Sequence, residues 1–315
     1  MSGIRRVVVC VFVVLAAGAR IAYAQLNTQH IKGGVGLKAG SMPPPHTYVV
    51  LPLLFVYHTD TIRNNDGEKL PIDASITSSA AGVGIAYVSP KKILGGNYGI
   101  QILLPIFMDN RLQGTEIDSS TGWGLTDSVI QPFSLGWHFS RADAIASYSL
   151  YLPTGPYEKG ASDNTGMGMW ANEVSFGTTV YLTKSKAYHA ATMASVSVQS
   201  KKEDSDTKVG NNLVLEGGIG GDFNRGKVTA GLVYASGIKL TNDRIDGLPE
   251  RLPIHKNRTF QIGPEVTFAL ASKRAVYGFV KVNYQWEVYA KNTTQGSAVV
   301  VSATLAAPPI KLPGA

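Results

Sequence analysis

Four glutamates, Glu173, Glu216, Glu265 and Glu287, are the residues of this chain most able to do chemistry, and Gln261, Lys281, Asn283 and Gln285 keep them company. Each sits at an alternating position in a run that otherwise carries apolar residues at every second place. Successive side chains of an extended chain point to opposite sides, so each glutamate shares a face with polar neighbours and opposes an apolar face. With Lys281 on the same side, charges of both signs face one another, and they could form a polar, water-filled path or pair up and close it. Catalysis by a serine lacks its parts. A Ser–His pair could be drawn from His58, His138, His189 or His255, but the chain has no Gly-x-Ser-x-Gly elbow to present a nucleophile. Metal binding fares no better, because the six histidines are dispersed and the only cysteine is Cys10. The acids within 201–206 lack the regular ligand spacing of a calcium loop. No enzyme activity, metal or cofactor is therefore expected.

The elements that must position these residues are strands. Between Tyr48 and Ala306 about twelve short segments alternate apolar and polar residues. In 276–288, Val276, Gly278, Val280, Val282, Tyr284, Trp286 and Val288 form one face. Tyr277, Phe279, Lys281, Asn283, Gln285 and Glu287 form the other. In 258–270, Phe260, Ile262, Val266 and Phe268 oppose Gln261, Glu265 and Thr267. In 169–182, Trp170, Val174, Phe176 and Val180 oppose Glu173, Ser175, Thr179 and Tyr181, and in 211–223, Leu213, Leu215 and Ile219 oppose Asn212 and Glu216. An ionised carboxylate facing hydrocarbon is costly, so the acids turn inward and the apolar faces meet lipid. Residues 124–138 break the pattern. Asp127 and Gln131 share a face with Val129, Phe133 and Leu135, and Pro132 interrupts the run, which a bulge would reconcile.

The connections sort by parity. Long polar ones near 59–78, 109–122, 153–168, 200–210 and 237–257 alternate with short ones near 89–95, 139–143, 183–187, 222–226 and 271–273. A closed membrane barrel puts every second connection on the same side and keeps the periplasmic turns short. A soluble β-sandwich has no reason to do so. The fold expected is all-β, a membrane-spanning antiparallel up-and-down barrel of about 12 strands over 46–307. Tyr57, Tyr87, Phe107, Trp123, Trp137, Tyr151, Trp170, Tyr181, Phe223 and Trp286 lie near predicted strand ends and suit its two interfacial aromatic girdles.

The N-terminus sets the compartment. Arg5 and Arg6 precede an apolar run from Val7 to Ala19, and Ala22-Tyr23-Ala24 is a small-x-small cleavage site, so 1–24 reads as a signal peptide with Gln25 the mature start. The run is too short to span a bilayer as a helix. Residues 25–45 contain Gly33-Gly34 and Pro43-Pro44-Pro45 and cannot form a barrel strand. They read as a periplasmic lead-in, with insertion into the lumen as the alternative. The tail 308–315 reads as disordered. The net charge of +7 does not indicate nucleic acid, because three of the positive charges, Arg5, Arg6 and Arg20, fall in the signal and the rest are scattered. The glycine cluster Gly217-Gly218-Ile219-Gly220-Gly221 has no helix after it to hold a phosphate, and fits close approach of another element inside the barrel.

The stretches GLTDSVIQPFSLGW (124–137), YLPTGPYE (151–158) and NTGMGMWANEVSFGTTVYL (164–182), with GLKAGSMPPPHTYV (36–49), resemble the bacterial outer-membrane family named for the meta-pathway of phenol degradation. That resemblance implies a bacterial outer-membrane barrel associated with passage of small hydrophobic or aromatic compounds, and supplies no catalytic residues. Outer-membrane lipid and small apolar or aromatic solutes are the expected partners. The chain departs from many outer-membrane barrels in ending PPIKLPGA instead of on an aromatic residue. The function expected is a passive channel whose lumen is lined by Glu173, Glu216, Gln261, Glu265, Lys281, Asn283, Gln285 and Glu287. The alternative is a sealed structural or ligand-binding barrel whose external loops do the work.

Overall fold

The computed structural model describes residues 29–115, 117–247 and 256–311. The expected signal peptide and cleavage site lie outside them, as does His255. Twelve long strands pair in chain order: β1 (Thr47–Thr59), β2 (Ala74–Ile93), β3 (Gly96–Gly114), β4 (Ser128–His138), β5 (Ala142–Leu152), β6 (Ala171–Tyr181), β7 (Tyr188–Gln199), β8 (Asn212–Phe223), β9 (Val228–Lys239), β10 (Arg258–Ala271), β11 (Ala275–Lys291) and β12 (Ser297–Lys311). Every pairing is antiparallel, and β1 pairs with both β2 and β12, so the sheet closes into a barrel. Closure leaves no edge strand, which is what lets a sheet stand in hydrocarbon. The described residues of the connections 60–73, 115–127, 153–170, 200–211 and 240–257, with the short 292–296, gather at one end. Those at 94–95, 139–141, 182–187, 224–227 and 272–274 gather at the other.

Alternation follows the expected faces. In β6 the odd residues from Ala171 to Thr179 are buried, while Val174, Phe176 and Val180 are exposed. In β10, Gln261 and Glu265 are buried opposite exposed Phe260 and Phe268. The exposed apolar residues make the belt that a bilayer requires.

Four local expectations are corrected. Tyr277 is exposed instead of sharing the inner face, because a register shift between Val276 and Gly278 reverses the alternation there. Tyr57, Tyr151 and Tyr181 are not girdle residues: their hydroxyls turn inward to the carboxylates of Glu287, Glu173 and Asp143. The last strand does not stop at 307 but reaches Lys311, with Pro308 and Pro309 falling in that same shift, where no ladder bond is lost. Finally, residues 29–45 are not a lead-in outside the barrel; they run through its interior.

The wall is irregular at one seam. A bulge at Gln131–Pro132 shifts β4 against both its neighbours, the two-residue step from Gly99 to Gln101 matching three residues of β4. β3 and β4 are laddered from Asn97↔Gly136 to Leu103↔Val129, then meet again only at the bridge Met108↔Gly124. Between those points no ladder bond joins the backbones of 104–107 and 125–128 among the described residues. Pro105 has no N–H to offer, and 125–127 serves the neighbouring loop instead. Leu125 O accepts from Thr165 Oγ1 at 2.5 Å, and the Asp127 carboxylate takes the N–H groups of Gly155 and Met167 at 3.1 and 2.9 Å. Leu104, Phe107 and Leu125 line this seam and are exposed.

Candidate functional site: the occupied lumen

Residues 29–46 descend from the long-loop end to the short-turn end. They carry few large side chains and several glycines, so the backbone can pass close to the wall, and their polar groups meet the inward acids one level at a time. At the top, Gln29 Nε2 donates to Asp127 Oδ2 at 2.7 Å and to Met169 O at 3.3 Å. Two acceptors on that side fix the amide orientation and leave its buried Oε1 without a partner among the described residues. Next, His30 bridges two buried carboxylates, with Nδ1 2.9 Å from Glu173 Oε2 and Nε2 2.9 Å from Glu216 Oε2. Tyr151 OH donates to Glu173 at 3.2 Å, and the Gly33 N–H closes on the second oxygen of Glu216.

On β10 and β11, Lys32 Nζ reaches Thr259 Oγ1 at 2.8 Å and Glu287 at 3.0 Å, while the Tyr57 hydroxyl donates to the other Glu287 oxygen at 2.9 Å. Asn283 Nδ2 donates to Gly33 O at 2.9 Å, Lys281 Nζ donates to Gly34 O, and Gln261 Nε2 donates to Gln285 Oε1 at 2.8 Å. A single 3-10 turn, Gly36–Lys38, points the Leu37 N–H at Glu265 Oε1 at 3.0 Å. Gly36 has φ +77° and faces the same carboxylate so closely that a Cβ would collide with it. Near the short-turn end, Lys38 pairs with Asp222 at 2.9 Å, Gly40 N–H donates to Thr179, and Ser41 Oγ donates to Asp143 at 2.8 Å.

Leu37 is the apolar anchor. It is buried against Gly218 and Gly220 of β8 and Gly231 of β9, where any added Cβ would stand about 2.9 Å from its methyl carbons. The close approach expected of the glycine cluster is thus made by the chain's own N-terminal segment. Leu37→Ala should loosen the segment by about 2–5 kcal/mol, the usual cost of emptying a packed site. Faster hydrogen exchange at the Leu37 and Gly40 amides, with barrel-strand amides unchanged, is the expected reading; equal exchange in both chains would contradict it.

The long loops cover the top. Met169 and Val209 are fully buried, with Met167 and Ile245 packed on them. Lys202 Nζ donates to Met167 O at 3.0 Å and lies over the Tyr157 ring, and burial pushes its ammonium pKa down to about 8. Burial also raises the Asp127 carboxyl, against the pull of its N–H donors. Lys239 and Asp243 form a buried pair at 2.7 Å, and Asp243 also accepts the Gly210 N–H at 2.7 Å.

All eight residues read from the sequence as lumen-lining face the interior, and seven are buried, Lys281 being partly so. They meet the N-terminal segment, one another or both. Missing from that set are the segment's own contribution, His30, Lys32 and Ser41, and the inward Tyr57 and Tyr151. The available signal was charge balance: four inward glutamates against one inward lysine call for cations from elsewhere, and His30 and Lys32 are the nearest unassigned ones. Among the described residues the histidines build no nucleophilic triad. His138 and Ser41 both bond to Asp143, and His58 bonds to Thr77. His189 is buried with neither ring nitrogen partnered among the described residues, and no three metal-ligating side chains converge there either.

A closed twelve-strand antiparallel barrel, apolar outside and polar within, defines a membrane-spanning β-barrel of the outer-membrane type. Residues 59–303 match the family model described as "Putative MetA-pathway of phenol degradation", and the chain belongs to that family. It is similar in structure to the COG4313 outer membrane channel from Pseudomonas putida F1, with a TM-score of 0.73 at 13% identity, over 88% of this chain and 100% of that one. Looser likenesses include the transport unit of the autotransporter AIDA-I from Escherichia coli (TM-score 0.44, 10% identity, 92% and 97% covered). Another is the TodX monoaromatic hydrocarbon channel deltaS2 mutant (TM-score 0.40, 11% identity, 84% and 90% covered). No curated protein sequence matches the chain.

Proposed function

We propose that this protein passively admits small apolar or aromatic compounds across the bacterial outer membrane, with its long loops outside. Solutes enter through the β3–β4 seam, and the N-terminal segment keeps the axial lumen closed to ions. The observation that carries this reading is the pairing of an occupied lumen with an unladdered, apolar-lined seam in the wall. An apolar solute gains nothing from an axis crossed by ion pairs, whereas Leu104, Phe107 and Leu125 offer it apolar surface at the lipid boundary. The unpartnered Oε1 of Gln29, beside Asp127 at the inner side of that segment, suits a ring carrying one hydroxyl. The family description supplies the aromatic class.

The test exploits a mature chain without thiols. Leu104→Cys and Ser128→Cys fall at the next register pair after Leu103↔Val129, so oxidation would staple the seam. Uptake of an aromatic solute into vesicles should fall on oxidation and recover on reduction. Uptake indifferent to the staple would end the lateral route. The sealed lumen equally favours a second reading, a closed barrel working through its loops. Under that reading, vesicles with and without the protein would take up solute at the same rate, and deleting loop residues 240–257 would remove surface binding.

A further inference from the structure

We propose that a recess on the outer rim at β10–β11 binds phosphate groups of the phosphorylated glycolipid that fills the outer leaflet of such membranes. It is lined by Asn65, Asp66, Asn242, Lys256, Arg258, Tyr289 and Lys291. Arg258 and Lys291 are direct partners across the β10–β11 ladder, and like charges directly opposite destabilise a sheet unless an anion lies between them. Lys256 lies two residues before Arg258. None of these three makes an ion pair among the described residues, although other cations at this end do: Arg111 with Asp118, Lys159 with Asp246, Lys201 with Asp206 and Lys239 with Asp243. One carboxylate, Asp66, faces three cations, and the amides of Asn65 and Asn242 and the Tyr289 hydroxyl add donors.

Height and direction select the ligand's source. Phe260 and Tyr289 are the next pair on the same face of the ladder below Arg258 and Lys291, with the buried Thr259↔Ala290 between, and both are exposed, as is Trp286. Such aromatics sit at the membrane–water interface, so the cations stand one pair above it, at head-group level. Arg258 is exposed and lies on the lipid-facing side of β10, with Phe260 and Ile262. An arginine fork beside two ammonium groups fits a phosphate monoester better than any neutral head group. Loop 60–73 backs the site, with Gly67 at φ +87° set against the Lys291 methylenes.

This inference rests on the outer-membrane placement above. The refolded mature chain in zwitterionic detergent is titrated with diphosphorylated lipid A, with the same lipid after enzymatic dephosphorylation, and with inorganic phosphate, and bound species are counted by native mass spectrometry. The diphosphorylated lipid should bind at least about tenfold more tightly than the dephosphorylated one, the loss expected for a charge-assisted hydrogen bond. The R258Q/K291Q chain should lose that preference, and R258K should keep most of it. Equal binding of the two lipids, or an unchanged preference in R258Q/K291Q, overturns the site. Saturation by inorganic phosphate with no preference for the lipid overturns its lipid source. Heat-shifted gel mobility reports barrel formation independently, so a barrel that forms but ignores phosphate refutes the site and not the fold.

Discussion

Removing residues 25–45 should turn an ion-tight barrel into one that conducts in discrete steps. No strand is lost, since β1 begins at Thr47. Twelve strands enclose more space than the eight of barrels filled by their own side chains, so under the proposed function the segment and not the wall closes the lumen. Its removal leaves Glu173, Glu216, Glu265 and Glu287 facing water with Lys281 as the main inward cation. The opened pore should therefore favour cations, and Glu287→Gln or Lys281→Gln should shift that selectivity in opposite directions. Planar-bilayer recording under a salt gradient reads both effects. Equal conductance by the complete and shortened chains would show that the segment does not seal the barrel.

The second large effect is expected at His30. Its ring stands 2.9 Å from both Glu173 and Glu216, which are almost wholly buried. His30→Ala would strand two carboxylates in a site that excludes water, and breaking a buried pair in this way costs about 3–5 kcal/mol. The strands that carry Glu173 and Glu216 are held by continuous ladders to their neighbours, so the loss should fall on the seating of the N-terminal segment and appear as flickering conductance and protease access to 29–45. Adding Glu173→Gln and Glu216→Gln removes the charges that demanded a partner, and the triple variant should lose much less than His30→Ala alone. If His30→Ala stays as quiet as the parent chain, the imidazole does not secure the segment.

Much of the architecture was legible in the residues. Alternation places Glu173, Glu216, Glu265 and Glu287 inside because period two is a property of any strand and needs no knowledge of its neighbours. Loop parity yields the strand count for a similar reason: an up-and-down chain must return to the same side every second crossing. Where the ladder slips, that local logic fails. Tyr277 and the tyrosines at 57 and 151 were assigned from position along a strand, but a bulge moved the first and hydrogen bonds to buried carboxylates drew in the others, while Tyr181 keeps the inward face that alternation gives it. The bulge at Gln131–Pro132 was visible as a broken pattern, yet only pairing with β3 and β5 located it.

By itself, then, the sequence determined an all-β barrel with an apolar outside and an acidic inside, because those properties follow from alternation along each strand. Only the tertiary structure decided what the inside holds. Residues 29–46 have no strand pattern and could have hung below the barrel. Closure gathered Glu173, Glu216, Glu265 and Glu287 from four strands into one confined space, where burial makes unpaired charge costly. The cations and N–H groups of 29–46 relieve that cost, and a segment with no fold of its own came to occupy the lumen.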